Sequence, residues 1–324
     1  MRDRILVTGG AGFIGNHLVR RLLAEGYAAR VLDNFETGKR ENLSDLQNEI
    51  ELVEGDVRDL ETVRAAVAGC RFILHEAAIG SVPRSVVNPL ESYEVCANGT
   101  LHVLEAARHA GVERVVFASS SSVYGDEVEM PKRESAKPKP LSPYALAKLS
   151  AEQACGIFTR LYGLETVALR YFNVFGPRQD PQSQYAAVIP RFITAILAGD
   201  APVIYGNGLQ SRDFTYVDNV VDANLRALTA PAHLAVGASG GVYNASCGGR
   251  TSLLELVDAI NATLGSDVAP RFEPERAGDV KHSQASIELA TERLGYVPAV
   301  NFAEGLARTV AWYAERAAAE AAVA

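Results

Sequence analysis

Tyr144 and Lys148 stand four residues apart in Tyr144-Ala145-Leu146-Ala147-Lys148. On a helix, positions i and i+4 share a face. An ammonium one turn from a phenol, joined by a second cation, stabilises the phenolate and lowers its pKa towards neutral. Tyr144 then has the chemistry of a general base for an alcohol hydroxyl. The spacing alone is common on ordinary helix surfaces, and its weight comes from what precedes it. Upstream, an apolar run ends in Ser119-Ser120-Ser121-Ser122-Val123-Tyr124-Gly125. A serine at the carboxyl end of that strand reaches the same hydroxyl; a polar turn accounts for the others.

Gly9-Gly10-Ala11-Gly12-Phe13-Ile14-Gly15 is the second signal. It follows the apolar run Arg4–Thr8 and opens a segment with Phe13, Ile14, Leu18, Leu22 and Leu23 at helical spacing. Glycines there admit a pyrophosphate close to the backbone, and a helix N-terminus offers free N–H groups and partial positive charge. Asp33 ends the next apolar run. A carboxylate in that place bonds the adenosine ribose hydroxyls and repels a 2′-phosphate, which predicts NAD rather than NADP. Gly55-Asp56-Val57 follows the third run and closes around adenine, with Asp56 accepting from the amino group.

These groups need a scaffold. Short strands are predicted at Arg4–Thr8, Ala28–Leu32, Ile50–Val53, Arg71–His75, Arg114–Ala118 and Thr166–Arg170. Helices are predicted at Gly12–Glu25, Thr62–Ala68, about Leu90–Ala110 and Ser142–Leu161. Such alternation argues for an α/β, Rossmann-type doubly wound parallel sheet with ligands at the strands' carboxyl ends. After Tyr171 the rhythm breaks into Pro- and Gly-rich loops, with short helices at Pro190–Ala198, Tyr216–Leu228 and Ser252–Leu264. We expect residues 1–171 to bind NAD and residues 172–324 to form mostly a smaller mixed α/β substrate lobe. The boundary is soft, because segments cross back into the first sheet. Ala314–Ala324 reads as a frayed terminal helix.

The 324 residues are 48% hydrophobic and 22% charged, which excludes disordered, collagen-like and disulfide-scaffold classes. With 31 basic and 39 acidic residues the net charge is −8, so no general basic field draws nucleic acid or anionic lipid. Cys70, Cys96, Cys155 and Cys247 form no CxxC pair, and the six histidines are scattered, so no metal site is expected. Ile5-Leu6-Val7 is too short for a signal peptide, and no stretch nears the ~18 apolar residues of a membrane span. A cytoplasmic protein acting on a soluble partner is the expectation.

At this point the chain resembles the extended short-chain dehydrogenase/reductases that modify nucleotide sugars. The resemblance is carried by the glycine motif, Asp33-Asn34, Gly55-Asp56-Val57, His75-Glu76-Ala77-Ala78, Asn98-Gly99-Thr100 and the serine run. It continues through Pro143-Tyr144-Ala145-Leu146-Ala147-Lys148, Arg170-Tyr171-Phe172-Asn173-Val174-Phe175-Gly176-Pro177, Ser211-Arg212-Asp213-Phe214 and Arg276-Ala277-Gly278-Asp279. Within that family it is most similar to UDP-hexose 4-epimerases, in the branch acting on N-acetylated UDP-sugars. Gly80-Ser81-Val82-Pro83-Arg84-Ser85, Gln179-Asp180-Pro181 with Tyr185–Pro190, and Gly278–Ser283 carry that likeness.

The resemblance implies roles. Ser120, Tyr144 and Lys148 are catalytic: Tyr144 takes the C4 hydroxyl proton, Ser120 bonds that oxygen, and Lys148 bonds the nicotinamide ribose. NAD takes the C4 hydride and returns it to the other face of the 4-ketose. The cofactor lies on Gly9, Gly12, Phe13, Ile14, Gly15, Asp33, Asn34, Gly38, Asp56, Val57, Ala77, Ala78, Asn98 and Tyr171, with Tyr144 and Lys148. The UDP-sugar lies on Gly80, Ser81, Ser121, Ser122, Asn173, Ala187, Val188, Tyr205, Arg212, Arg276, Asp279 and Ser283, the two arginines at its diphosphate. Small Ser283 and Gly80 imply room for an N-acetyl group at C2. Family members pair through helices that here are about Leu90–Ala110 and Ser142–Leu161, so a homodimer is expected, with Val103, Leu104, Ile157, Phe158 and Leu161 as apolar candidates.

Related chemistries fit the residues less well. A 4,6-dehydratase needs an Asp-Glu pair where Ser121 and Ser122 stand, and a decarboxylase tends to have glutamate at Ser122. A GDP-sugar reductase-epimerase needs a second acid/base pair, for which no Cys–His candidates appear. A UDP-glucuronate 4-epimerase would recognise a carboxylate, for which Arg84 is the candidate, and a 4-epimerase strict for non-acetylated sugars is a further alternative. Non-catalytic NAD-sensing relatives lose the tyrosine or lysine, and both are present here. Trp312, Cys155 and His75 read as packing residues; His282 borders the sugar side.

Overall fold

The computed structural model describes residues 2–181, 187–275 and 281–323. Ile5, Leu6 and Val7 have no exposed surface, as expected of a central parallel strand covered on both faces. Ile5 and Val7 enter one apolar core and Leu6 the other, following the two-residue period of a strand.

The elements are β1 (Arg4–Thr8), α1 (Phe13–Ala24), β2 (Ala28–Asp33), β3 (Ile50–Glu54), α2 (Leu60–Val67), β4 (Phe72–His75), α3 (Gly99–Ala110), β5 (Arg114–Ser120), α4 (Pro143–Tyr162) and β6 (Glu165–Tyr171). Then come α5 (Val188–Leu197), α6 (Val217–Thr229), β7 (Gly241–Ala245), α7 (Leu253–Leu264) and α8 (Phe302–Val323). The sheet runs β7-β6-β5-β4-β1-β2-β3, with every pair parallel. This is a Rossmann-type α/β fold. The chain leaves β1 towards β2 and β3, then returns to β4 on the other side. That reversal opens a crevice beyond the carboxyl ends of β1 and β4.

Leu18, Val19 and Leu22 of α1 share one core with Val220 and Val221 of α6. Val63 of α2, Val103 and Leu104 of α3 and Cys155 of α4 build the core on the opposite face. Val103 and Leu104 are fully buried in the monomer, so these two do not serve the expected dimer surface. Helix α4 starts where Ser142 Oγ accepts from Ala145 N (3.1 Å) and Pro143 opens the first turn; it ends at left-handed Gly163.

The helix expected over about Leu90–Ala110 is broken. A short helix, Pro89–Tyr93, passes through a π-helical turn at Glu94–Asn98 into α3. Strand β7 was not legible as a strand, since five mixed residues follow a glycine-rich loop. It pairs along β6 from Gly241 with Val167 to Ala245 with Tyr171. Among the described residues beyond β6, three two-stranded pairs form: Val174–Phe175 with Thr215–Tyr216, Ser211–Arg212 with Thr251–Ser252, and Val203–Tyr205 with Arg271–Glu273.

Candidate active site

Gly9 sits at φ 68°, and a Cβ there would lie 2.8 Å from the backbone of Ala77. A Cβ on Gly15 would lie 2.1 Å from Gly9 O, so the loop is closed to any side chain at these two points. Gly12 caps α1 without a side-chain bond, and the first turn holds no acidic residue. The helix therefore presents its N–H groups to the crevice, as an anion requires. Phe13 and Ile14 begin α1 and pack partly against the core.

Asp33 ends β2, buried. Its Oδ2 accepts from Ala11 N (2.9 Å) and its Oδ1 from Phe35 N (2.8 Å), while Gly38 stands against Oδ1. Each oxygen keeps a lone pair for a further donor. Burial pushes this carboxyl up, and the two backbone bonds oppose that. Asp56 accepts from Asn34 Nδ2 (2.7 Å) and twice from the Arg58 guanidinium, whose hydrogen bonds hold it down at about 2. Val57 is buried against Gly99. Asn98 in the π-turn donates to Glu94.

Tyr144 lies in the first turn of α4, with Ala78, Cys96, Ala97 and Ala147 around it. Ser120 Oγ accepts from Ser122 N (3.2 Å), and the Ser120 hydroxyl is near enough to Tyr144 to favour its ionised form. Lys148 is buried; its Nζ lies 5.9 Å from the Tyr144 ring centroid and donates to Ala118 O at 2.7 Å. Burial pushes the Tyr144 phenol up, Cys96 and Glu76 add to that, and Ser120 opposes it. The sequence expectation of a phenol drawn towards neutral is therefore not met by the chain's own groups. Lys148, itself pulled down by burial, is tied to the end of β5 and too far to offset the loss of water around Tyr144.

Of the serines, Ser119 donates to Glu152, which also holds Arg170 in a buried pair; that one is structural. Ser121 and Ser122 form the turn after β5, and Ser122 Oγ is buried with no partner among the described residues. Ser81 Oγ caps the short helix Val82–Val87. A Cβ on Gly80 would meet nothing within 4 Å. Arg84, the candidate for a sugar carboxylate, is already paired with Glu36 and Glu91. His75 bridges Thr8 and Thr100, and burial drives it down to about 3, so it is neutral.

Asn173, Ala187, Val188, Tyr205 and Arg212 line one cavity of about 260 Å³, together with Arg191, Gln210 and Phe214. Asn173 adopts positive φ (34°) and donates to Asp213 O (3.2 Å). Ser283 is buried outside that lining, its N–H on Ser211 O (3.1 Å), beside His282, which bonds Ser211 Oγ (2.8 Å). Arg276 and Asp279 lie outside the described residues. A second cavity, about 270 Å³, is lined by Trp312, Tyr313 and Arg178 and touches none of the residues named for chemistry.

Residues 5–246 match the model of the NAD dependent epimerase/dehydratase family. The chain belongs to that family. The UDP-glucose 4-epimerase of Mycolicibacterium smegmatis is 41% identical over 314 residues, 96% of this chain and 98% of that one. Among solved structures, the UDP-N-acetylglucosamine 4-epimerase of Methanobrevibacter ruminantium, in complex with UDP-N-acetylmuramic acid, superposes with TM-score 0.91 at 39% identity, covering 98% of this chain and 100% of that one. The Thermus thermophilus UDP-glucose 4-epimerase complex with NAD gives TM-score 0.85 at 37% identity, covering 96% and 98%.

The cofactor of this epimerase/dehydratase family is NAD, and the crevice fits it. The loop that no side chain can enter, the uncapped start of α1 and the free lone pairs of Asp33 suit a pyrophosphate and a ribose diol. Among the described residues no group of histidine, cysteine, aspartate and glutamate is arranged to hold a metal ion.

Sequence reasoning missed Glu76 and Arg191 as separate residues of interest. A charge directly after the apolar strand Phe72–His75 was the available signal for Glu76. Arg191 had none, since it becomes part of a cavity wall only when α5 packs beside Tyr205.

Proposed function

We propose that this protein is an NAD-dependent UDP-sugar 4-epimerase whose preferred substrates are UDP-GlcNAc and UDP-GalNAc, with UDP-Glc and UDP-Gal beside them. The observation carrying the 4-epimerase reading is the presence of two sites in one chain. The Ser120–Tyr144–Lys148 group stands at the end of β5 and in α4, and a separate cavity holds Asn173, Ala187, Val188, Tyr205 and Arg212. The relatives named above are 4-epimerases for both sugar types.

Bound NAD supplies a reversible acceptor for the hydrogen on the sugar's C4. Tyr144 would take the proton of the C4 hydroxyl, the positive charge of oxidised NAD favouring its phenolate. Ser120 holds the same oxygen. Lys148 would hold the nicotinamide ribose. Arg212, with Arg276, binds the diphosphate, so the sugar can turn about that link and present its other face to the same groups. Ser283 and Gly80 leave room for the C2 acetamide.

We propose further that residues 1–171 hold NAD and 172–324 mostly hold the UDP-sugar, with α6 and β7 returning to the first unit. The protein acts in the cytoplasm; no described helix is long and apolar enough to cross a membrane. A homodimer forms through the Pro89–Tyr93 region and α4, where Leu90, Tyr93, Leu146, Ile157 and Leu161 stay exposed.

The test is incubation of the purified protein with UDP-Glc, UDP-GlcNAc and UDP-glucuronate, each followed by chromatography of the 4-epimer. Conversion of the glucuronate alone would replace the reading by the uronate one. No conversion of any, with NAD bound, would leave an NAD-sensing protein.

A further inference from the structure

Glu76 is the residue directly after β4, beside the reversal point of the sheet. Its N–H donates to Thr8 O (3.1 Å), and the next residue, Ala77, is the backbone against which Gly9 packs. The residue thus starts from beside the glycine loop, and its charge reaches both Tyr144 and Lys148. Oε1 accepts from the Tyr171 hydroxyl at 2.7 Å, and that hydroxyl accepts from Asn224 Nδ2 at 2.7 Å. The ends of β4 and β6 and the middle of α6 therefore fix one oxygen. Oε2 has no hydrogen-bond partner among the described residues.

Enclosing a carboxyl makes its ionised form costly unless a cation is near. Lys148 is that cation within the chain, and its Nζ is committed to Ala118 O. Burial pushes Glu76 up to about 7, with Tyr171 and Lys148 opposing. His75, its neighbour, is neutral and bonded to Thr8 and Thr100. The arrangement leaves an acid whose ionised form a second positive charge nearby would restore.

We propose that Glu76 is a positioning residue for the nicotinamide, its carboxylate oriented by Tyr171 and Asn224 so as to favour the oxidised, cationic ring over the reduced, neutral one. This rests on the NAD-binding reading of the crevice. When an alcohol is oxidised by NAD, the carbinol carbon loses its hydrogen with two electrons to the ring, and the hydroxyl proton passes to a base, here Tyr144. The ring goes from one positive charge to none. A fixed negative charge opposes that change and assists its reversal equally. In a reaction that must end with the ring oxidised, the bias returns the electrons to the ketone before it escapes.

The experiment is a redox titration of the holoenzyme, with the reduced fraction read from the near-ultraviolet absorbance of the ring. Glu76→Gln keeps the shape and an acceptor for Tyr171 but removes the charge. The reduced-to-oxidised ratio at a fixed poise should rise about ten-fold, about 30 mV for a two-electron couple. Glu76→Asp, which keeps the charge, should stay close to wild type. A wild-type ratio in Glu76→Gln at full NAD content overturns the proposal. If Glu76→Gln purifies without cofactor, its affinities for NAD and NADH are measured by calorimetry. Selective loss for NAD supports the proposal and equal loss for both overturns it. A holoenzyme that holds NAD but epimerises nothing would end the functional reading and leave this titration valid.

Discussion

Lys148 Nζ and the Tyr144 ring centroid are 5.9 Å apart, and the ammonium donates to Ala118 O rather than to the phenol. The lysine is thus fixed by the end of β5, a strand and a helix meeting through one hydrogen bond. Within the chain its charge does not draw the Tyr144 phenol down, which burial holds up.

Removing the phenol oxygen tests that assignment. Tyr144→Phe should lower turnover by about 10²–10⁴, the usual contribution of a positioned acid or base. NAD content and the circular dichroism spectrum should be unchanged. Turnover within a few-fold of wild type would reject Tyr144 as the base.

Asp33 should select the cofactor. Denaturing the purified protein should release NAD, because a 2′-phosphate would meet a buried carboxylate already fixed by Ala11 and Phe35. In Asp33→Ala the discrimination against NADP, measured as a ratio of affinities, should fall. NADP as the main species released from wild type would contradict the role.

Ser283 should set the size of the C2 pocket. Ser283→Tyr should suppress turnover of UDP-GlcNAc far more than that of UDP-Glc, since a bulky side chain takes the space of the acetamide. Equal loss on both sugars would show that this residue does not border C2.

The acidity of Glu76 carries a stability signature. Its carboxyl is raised by burial to about 7 in the folded chain, well above its unfolded value. The folded state therefore holds a proton that the unfolded state has lost, and this contribution to stability falls as pH rises from the unfolded pKa to about 7. At roughly 1.4 kcal/mol per unit, wild type stripped of cofactor should lose at most about 3.5 kcal/mol relative to Glu76→Gln across that window. Denaturant melts of both proteins at pH 5 and pH 8 check the sign; a difference that grows in favour of wild type at pH 8 would refute it.

The exposed stripe on α4 gives a prediction about assembly. Leu146, Ile157 and Leu161 are 49%, 42% and 63% exposed, a costly display for a helix with no partner. Light scattering at micromolar concentration should give a dimer mass, and Ile157→Asp with Leu161→Asp should give a folded monomer. A monomeric wild type would remove the dimer from consideration.

The strand-and-helix alternation, the NAD crevice and the order of the chemical groups were legible in the residues alone. Those signals are local: a five-residue apolar run, a glycine spacing that backbone contact enforces, a carboxylate at a strand end, a helical i and i+4 pair. Arg4–Thr8 appears in the structure with the bounds its composition predicted, and Ser142 caps α4 as its residue type demands. Packing settled what depends on partners distant in sequence. Gly241–Ala245 became a strand because β6 offered an unpaired edge, and Val103 and Leu104 turned inward because α2 and α4 cover them. The phenol of Tyr144 moved up rather than down, because acidity follows the water excluded around a group and the reach of its neighbours, neither of which spacing reveals. Glu76 is the clearest case. In the sequence it is one acid after a strand, and its meaning comes from Tyr171 and Asn224, which the fold alone brings to its side.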